Sequence, residues 1–232
     1  MLIDTGGIAF GRPRANPPAK RVVANYLAAR GVSHLDMLVL THPDMDHVGD
    51  AGVLMSQVPV RLLVTTPMAG ETTIVKSLTA NVARWQAVMA PNHLRVGPLK
   101  FDVVAPASAS GETNAESLVL YGKIGDSQWL FTGDTTKEVE QAQLVPQHLQ
   151  ADFLKVSHHG SKTASDFAFI QALNPQLALI SAGRNNRYGH PHQETLATLQ
   201  ALHIPALNTA TSGMIWVDAT PKAHVVNTFI RK

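Results

Sequence analysis

The fold is decided by residues 37–47, which read MLVLTHPDMDH. A strand-length apolar run ends at Thr41, and four potential metal ligands follow within six positions: His42, Asp44, Asp46 and His47. Aspartate and histidine also occur in ordinary turns and helix caps. Imidazole and carboxylate together, however, are the ligands that divalent cations accept, and a turn can aim alternate side chains at one point. The stretch therefore predicts a strand that ends in a metal site.

Three more polar clusters follow predicted strands in the same way. They are Gly133-Asp134, the run from His158 to Ser161, and the run from Tyr188 to Pro191. Strand ends at one edge of a sheet are where α/β proteins assemble their sites. Each cluster has an ordinary reading, since an aspartate here is a common helix N-cap and a histidine is often buried against backbone. Their agreement favours one metal-binding edge.

Apolar runs alternate with amphipathic stretches, which is typical of an α/β architecture. The turn at Gly125-Asp126 predicts a hairpin and hence a mixed sheet. The predicted strands are Met37–Thr41, Arg61–Thr65, Lys100–Ala105, Ser117–Tyr121, Gln128–Thr132, Phe153–Ser157, Leu177–Ser181, Met214–Val217 and His224–Phe229. The predicted helices are Ala19–Arg30, capped by Gly31, then Thr72–Met89, Thr135–Val145, Ser165–Leu173 and Gln193–Leu202.

Length and composition predict one globular domain over residues 1–232. Hydrophobic residues make up 45% and charged residues 16%, and no repeat or long linker divides the 232 residues. The longest apolar runs are of strand length, far short of a membrane span, and no secretory signal opens the sequence. We therefore expect this chain to be soluble.

The residue types restrict the site further. There are no cysteines, so disulfides and thiolate ligands are excluded, and a metal must bind to His, Asp, Asn or water. The net charge of +2 is too small to indicate nucleic acid by itself. Basic residues of the segment after residue 11 and of the later polar clusters are candidates for binding phosphate, although most such groups are solvated surface: Arg12, Arg14, Lys162 and Arg187.

The motifs together resemble a known family. HPDMDH at residues 42–47, LFTGD at 130–134 and LKVSHHGS at 154–161 resemble the metallo-β-lactamase superfamily. With NAESLVL at 114–120 and NNRYGHP at 185–191, the chain looks like the C-terminal hydrolase domain of ComEC-type DNA-uptake proteins. The resemblance runs from Leu2 to about Val217.

The resemblance implies an αββα sandwich of two mixed sheets flanked by helices, with two divalent metal ions, Mn²⁺ or Zn²⁺. His42 and Asp44 would line the first metal position, and Asp134 would bridge both. The second position would be lined by Asp46, His47 and His158. The superfamily more often has histidine at the place of Asp44, and that change favours Mn²⁺. Another usual histidine is missing, and Asn114 stands closest to its place.

The resemblance also bears on what surrounds this domain. The family pattern has strands before the segment LIDTGG, residues 2–7, so we expect the N-terminal strands to be missing and one sheet edge to be exposed. ComEC-type proteins are polytopic membrane proteins. The domain would accordingly belong to a membrane-bound protein and face outside the cytoplasm.

The expected activity is metal-dependent phosphodiester hydrolysis, with single-stranded DNA as the substrate during DNA uptake. Asp46 and Asp134 would act at the metals, and His190 would either protonate the leaving oxygen or hold a phosphate. Two alternatives stay open. One is hydrolysis of a small ester, lactam or phosphocholine-type substrate on the same scaffold. The other is a degenerate domain that binds DNA or a partner without turnover.

Overall fold

The computed structural model describes residues 1–7, 17–220 and 223–229. The chain divides into two compact units, and each contains one principal sheet. The first unit comprises Met1–Met89 and Ser108–Leu118, and the second comprises Ala90–Ala107 and Val119–Lys232. The α/β architecture, with sheets flanked by helices, confirms the predicted fold class. A single domain over residues 1–232 stays a prediction.

The first unit contains a four-stranded sheet in the order β1-β2-β3-β4. Every neighbouring pair is parallel, as helical crossovers between successive strands require. The resemblance implies two mixed sheets, whereas the four described strands of this sheet are all parallel. The strands are β1 (Leu2–Ile3), β2 (Leu38–Val39), β3 (Leu62–Thr65) and β4 (Arg84–Ala87).

Helices of the first unit cover one apolar core. The first begins as a wide π-type turn over Ala19–Ala24 and continues as α1 (Asn25–Ala29). Its first N–H is bound by the buried carboxylate of Asp50, at 3.1 Å from the Ala19 nitrogen. The core includes Leu38, Leu40, Leu54, Leu63 and Val75, all fully buried. The other helices are α2 (Met45–Val48), α3 (Ala51–Met55), α4 (Pro67–Glu71) and α5 (Thr73–Thr79).

The predicted helix Thr72–Met89 is wrong in its second half. The helix ends at Thr79, and residues 84–87 form β4, which is parallel to β3. The Trp85 indole donates to the Thr65 hydroxyl at 3.0 Å, which joins the two strands. All four β4 residues are exposed, so this strand has no buried face of the kind that marks a strand in a sheet. Strand pairing overrides the local helical preference here.

The second unit contains a seven-stranded sheet in the order β11-β10-β9-β8-β7-β6-β5. The four strands from β5 to β8 pair antiparallel, and those from β8 to β11 pair parallel, so this sheet is mixed as predicted. Gly125, with φ 61°, opens the predicted hairpin turn. The strands are β5 (Asn92–Val96), β6 (Leu99–Ala105), β7 (Val119–Ile124), β8 (Ser127–Phe131), β9 (Phe153–Lys155), β10 (Leu177–Ile180) and β11 (Ala206–Asn208).

Large aromatic rings fill the core of this sheet, where Trp129 stacks on Phe153 with centroids 4.3 Å apart. The helices of this unit are α6 (Lys137–Val139), α7 (Phe167–Leu173), α8 (Gln193–Ala201) and α9 (Thr209–Ser212). Helix α6 continues as a π-helix over Glu140–Leu144 and then as a 3₁₀ turn over Val145–Gln147. A separate hairpin joins β12 (Met214–Thr220) and β13 (Ala223–Phe229). Among the helices of the described ranges, none has the length and apolarity needed to cross a membrane.

The close packing of the backbone at Gly7 gives a first test of the fold. A Cβ at Gly7 would lie 1.7 Å from the Met45 backbone oxygen, because the segment after β1 lies against the first turn of α2. We expect Gly7→Ala to lower the free energy of unfolding by about 3 kcal/mol, measured by urea titration. The control is Gly183→Ala, where the new Cβ would meet only the Asn186 Cβ at 4.0 Å. It should change stability by less than about 0.5 kcal/mol. Similar losses in both variants would contradict the steric argument.

Candidate metal centre

In the first unit, polar side chains gather where β1 and β2 end. Asp4 follows β1 and Thr41 follows β2, and the parallel register that pairs Ile3 with Val39 places them side by side. The backbone N–H and the hydroxyl of Thr41 donate to the two carboxylate oxygens of Asp4, each at 2.8 Å. Asp4 has φ 56°, a left-handed conformation that aspartate tolerates better than most residues. The sequence prediction did not include Asp4.

The same carboxylate also orients His47, which is buried in α2. His47 Nδ1 lies 2.7 Å from the Asp4 carboxylate and donates to it. Burial would raise the pKa of Asp4, but the charge and hydrogen bond of His47, the charge of His42 and the Thr41 N–H together hold that pKa below its ordinary value. With Nδ1 carrying the proton, His47 presents Nε2 as the nitrogen with the lone pair. This carboxylate–imidazole pairing is typical of metal-binding histidines.

His42 is fully buried beside His47, with ring centroids 4.0 Å apart. Its Nδ1 lies 3.0 Å from the Thr41 hydroxyl. Because that hydroxyl donates its own proton to Asp4, it accepts from His42 Nδ1, and His42 presents its lone pair at Nε2. One chain of hydrogen bonds from Asp4 thereby fixes the tautomers of both histidines.

The two predicted aspartate ligands lie at the start of α2. Asp44 is the N-cap residue, and its carboxylate is 3.9 Å from His42 Nε2, so the structure brings these two predicted ligands together. Asp46 lies in the first turn and is exposed. Carboxylates in a first turn are favoured by the helix dipole as well as by a cation.

Asn114 belongs to a segment bound to the end of β2. The Leu118 N–H donates to the Thr41 carbonyl at 2.9 Å, and the Ser117 N–H donates to the Asn114 carbonyl at 3.0 Å. The side-chain oxygen of Asn114 is buried and accepts no hydrogen bond from the described residues. A buried amide oxygen without a donor is unfavourable unless another electrophile binds it. This observation suits the predicted role of Asn114 as an oxygen ligand.

In the second unit, the predicted clusters follow the parallel strands β8, β9 and β10. Their carboxyl ends share one edge of the sheet, and they bring Asp134 near His158 and His159. One carboxylate oxygen of Asp134 is 3.2 Å from His159 Nε2 and 4.0 Å from His158 Nε2. The N-cap of α6 is Thr136, so Asp134 is not the helix cap. The structure thus brings the predicted ligands Asp134 and His158 together within this unit.

Lys155 holds the other side of Asp134. Its ammonium group donates to the Gly133 carbonyl at 2.7 Å and lies 3.5 Å from the second carboxylate oxygen of Asp134. Asp134 is almost fully buried, and the lysine places a positive charge beside its carboxyl group. One oxygen thus faces an ammonium group while the other faces the two histidines.

His159 is the histidine that the predicted ligand set left out. Its Nδ1 donates to the Ser181 carbonyl at 2.7 Å, so Nε2 is the ring nitrogen that faces Asp134. His158 Nδ1 lies 3.3 Å from the Thr163 hydroxyl, a weaker contact. Both residues adopt left-handed φ angles, 47° and 54°, in one tight turn. Neighbouring histidines look alike in sequence, and only the turn shows which ring is anchored by a backbone carbonyl.

Glu140 supports this turn from beneath. It is fully buried and accepts from the Ser157 hydroxyl at 2.7 Å, the Ser165 N–H at 3.0 Å and the Asp166 N–H at 2.7 Å. Burial raises the pKa of Glu140 to about 7, although the three donors oppose the shift. The contacts connect the helix after Asp134 with both ends of the histidine turn. A glutamate inside a helix carries no sequence signal for such a role.

The loop after β10 carries His190 on a fixed backbone. Asn186 binds both the N–H and the carbonyl of His190, at 2.9 and 2.7 Å. His192 accepts from the Lys162 N–H and donates to the Tyr188 carbonyl, each at 3.0 Å. Burial, followed by the charges of His192, His158 and His159, lowers the pKa of His190 to about 4. His190 is therefore neutral near pH 7.

The structure describes two of the four basic residues that were predicted to bind phosphate. Lys162 and Arg187 are exposed in the second unit, beside the loop that carries His190. Arg12 and Arg14 lie outside the described residues.

The donor set fits divalent cations. In each unit, buried or half-buried histidines use Nδ1 for hydrogen bonds and present Nε2, and the carboxyl group of an aspartate lies beside them. Histidine nitrogen with carboxylate and amide oxygen suits Zn²⁺ and Mn²⁺ alike.

Comparisons with known proteins agree with this chemistry. The family model described as the metallo-β-lactamase superfamily matches residues 1–67. The chain is 39% identical over 228 residues to ComE operon protein 3 of Bacillus subtilis (strain 168). It is 29% identical over 220 residues to competence protein ComA of Neisseria gonorrhoeae. Each alignment covers 93% of this chain but only 29% and 28% of those relatives, so the chain spans less than a third of their length.

A solved structure supports the fold alone. A mutant CmlA β-hydroxylase superposes with a TM-score of 0.56 over 76% of this chain and 43% of that one, at 12% identity.

The role of Asp4 can be tested through metal affinity. We expect Asp4→Asn to weaken Mn²⁺ and Zn²⁺ binding about 10–100-fold, because an amide cannot accept from Thr41 and His47 as the carboxylate does. Competition against a chromophoric chelator measures the affinity. Asp36→Asn is the matched control, since Asp36 pairs with Arg61 on the surface at 2.9 Å and should not affect metal binding. Unchanged affinity in a folded Asp4 variant would show that the carboxylate serves only the fold.

Proposed function

On the premise that this chain is a metallo-β-lactamase-fold domain of the ComEC type, we propose that it is a metal-dependent phosphodiesterase acting on single-stranded DNA. The observation that carries the proposal is the environment of Asp134. A buried carboxylate stands between an ammonium group and two histidines at the carboxyl ends of parallel strands. Burying a carboxyl group beside these side chains costs desolvation free energy that a purely structural residue does not require, and the arrangement suits a group that binds cations.

We propose that two divalent metal ions bind to the residues that the superfamily resemblance implies, namely His42, Asp44, Asp46, His47, Asp134 and His158. His159 joins this set because its Nε2 is presented as a ligand nitrogen. Asn114 supplies an oxygen where the superfamily more often has histidine. Bound cations would activate water and stabilise charge on the phosphoryl oxygens. The oxygen donors of Asp44 and Asn114 favour Mn²⁺ over Zn²⁺.

The protein's own side chains then position the substrate. His190 is neutral near pH 7, so its ring N–H is better suited to donate a hydrogen bond to a phosphate than to act as an imidazolium acid. Lys162 and Arg187 are exposed cations of the same region and can neutralise neighbouring phosphates. Lys155 binds the Gly133 carbonyl and places its ammonium group beside Asp134.

DNA is the proposed substrate because similarity to competence proteins and the exposed cations point the same way. We propose further that the domain is part of a larger membrane protein and faces outside the cytoplasm, as in ComEC-type proteins. Hydrolysis of a small ester, lactam or phosphocholine-type substrate, and binding without turnover, are the alternatives that the assays below separate.

The central test is the loss of metal and activity together in Asp134→Asn. We expect this variant to lose bound metal, measured by elemental analysis, and at least about 10³-fold in rate, because the carboxylate supplies charge to the cations. Wild-type protein should cleave single-stranded DNA and bis-p-nitrophenyl phosphate with Mn²⁺, but not a β-lactam, and chelator should stop cleavage.

Asp166→Asn is the matched control for that test. Asp166 is a true N-cap, whose carboxylate accepts from the Ala168 and Phe169 N–H groups, and asparagine caps helices nearly as well. Asp166→Asn should keep its metal and rate. If Asp134→Asn behaves in the same way, the metal assignment is wrong. Turnover of a lactam or small ester alone, or DNA binding without turnover, would favour the alternatives.

The role of His190 can be separated from that of a general acid. We expect His190→Ala to keep its metal and to lose about 10²-fold in rate on both DNA and bis-p-nitrophenyl phosphate, because it removes one hydrogen-bond donor to the phosphate. The p-nitrophenolate leaving group needs little protonation. A much larger loss on DNA than on the nitrophenyl ester would therefore restore the acid role, and a fall in metal content would make His190 a ligand.

A further inference from the structure

An aromatic side chain on the His190 loop is exposed without an evident structural reason. Tyr188 is 55% exposed, yet its ring is nearly parallel to that of His190, with centroids 5.6 Å apart and planes inclined by 21°. His190 in turn is nearly parallel to His159, at 6.1 Å and 23°. Three rings thus form a column from the Asp134 cluster to the surface of the second unit.

A cation contacts the exposed ring. The Arg187 guanidinium is 4.7 Å from the centroid of the Tyr188 ring, and it also hydrogen-bonds the Tyr188 hydroxyl. Lys162 is also exposed. Its backbone N–H donates to the His192 ring, which in turn donates to the Tyr188 carbonyl. The exposed ring is therefore bordered by positive charge.

The backbone beneath Tyr188 is held in place. His192 donates to its carbonyl at 3.0 Å, and Asn186 binds both backbone groups of His190 two residues later. A ring fixed in this way loses little conformational entropy when a ligand stacks on it. An exposed ring on a fixed loop offers a flat face on which a nucleobase can stack.

We propose that Tyr188 is a stacking platform for a nucleobase of single-stranded DNA and that Arg187 binds an adjacent phosphate. This inference rests on the proposed phosphodiesterase function and specifies how the substrate is recognised. A flat base matches the ring face, and a phosphate matches the guanidinium. A phosphocholine-type substrate is disfavoured, because Arg187 would repel its quaternary ammonium group from the Tyr188 ring.

Binding to metal-free protein gives the first test. Fluorescence anisotropy with chelator present compares a labelled single-stranded oligothymidylate with an oligonucleotide of equal length that carries abasic residues. The wild type should bind the base-bearing strand about 10-fold more tightly, since one stacked base contributes a factor of that order. Tyr188→Ala should lose this preference, whereas Tyr188→Phe should keep it.

Tyr26→Ala is the control for surface tyrosines in general, because Tyr26 is 39% exposed on α1 and should not affect the preference. A second readout is the KM for Mn²⁺-dependent cleavage, which should rise about 10-fold in Tyr188→Ala on the base-bearing strand and stay unchanged on the abasic strand.

The outcomes separate the two proposals. An unchanged base preference in folded Tyr188→Ala, or no base preference in the wild type, would overturn the platform. A base preference that depends on Tyr188, without cleavage of either strand by metal-loaded wild type, would keep the platform and remove the phosphodiesterase function. Cleavage with equal KM for both strands would do the reverse.

Discussion

The Asp4 carboxylate orients the predicted histidine ligands of the first unit, and the strand ends there depend on it. It accepts three hydrogen bonds, two from Thr41 and one from His47, and so joins the ends of β1 and β2 to the helix that carries the predicted ligands. The bonds are charge-assisted and partly buried, which makes them stronger than neutral ones. Because Thr41 passes the constraint on to His42, one ionised group determines the strand ends and two imidazole tautomers together.

The second unit solves the same problem with different groups. Its histidine turn is anchored by backbone oxygen, since His159 donates to the Ser181 carbonyl, and its aspartate is neutralised by Lys155. Glu140 then connects the turn to the helix that follows Asp134. In both units the histidines are oriented by groups outside the predicted ligand set, so the supporting residues matter as much as the ligands.

The sequence predicted the parts that follow from local pattern. The strand ends, the mixed sheet and the clusters at Asp134, His158 and His190 are readable because apolar runs stop abruptly at polar residues. β4 was missed because its four residues are all exposed, and pairing with β3 alone makes them a strand. Asp4 and Glu140 were missed because their partners lie 37 and 17 or more positions away, and such contacts leave no periodicity in sequence.

The contacts distinguish side chains that suit metal binding from side chains that suit substrate recognition. In each unit the histidines that use Nδ1 for hydrogen bonds leave Nε2 for other contacts, and an imidazole in that role carries little information about the substrate. One fold can carry sites for esters, lactams and phosphodiesters alike. Selectivity must therefore come from groups that the cluster does not use. Within the described part of the second unit, the loop carrying Arg187, Tyr188 and His190 offers a cation, an exposed ring and a neutral N–H in sequence, and these match the phosphate, base and phosphoryl oxygen of a nucleotide strand.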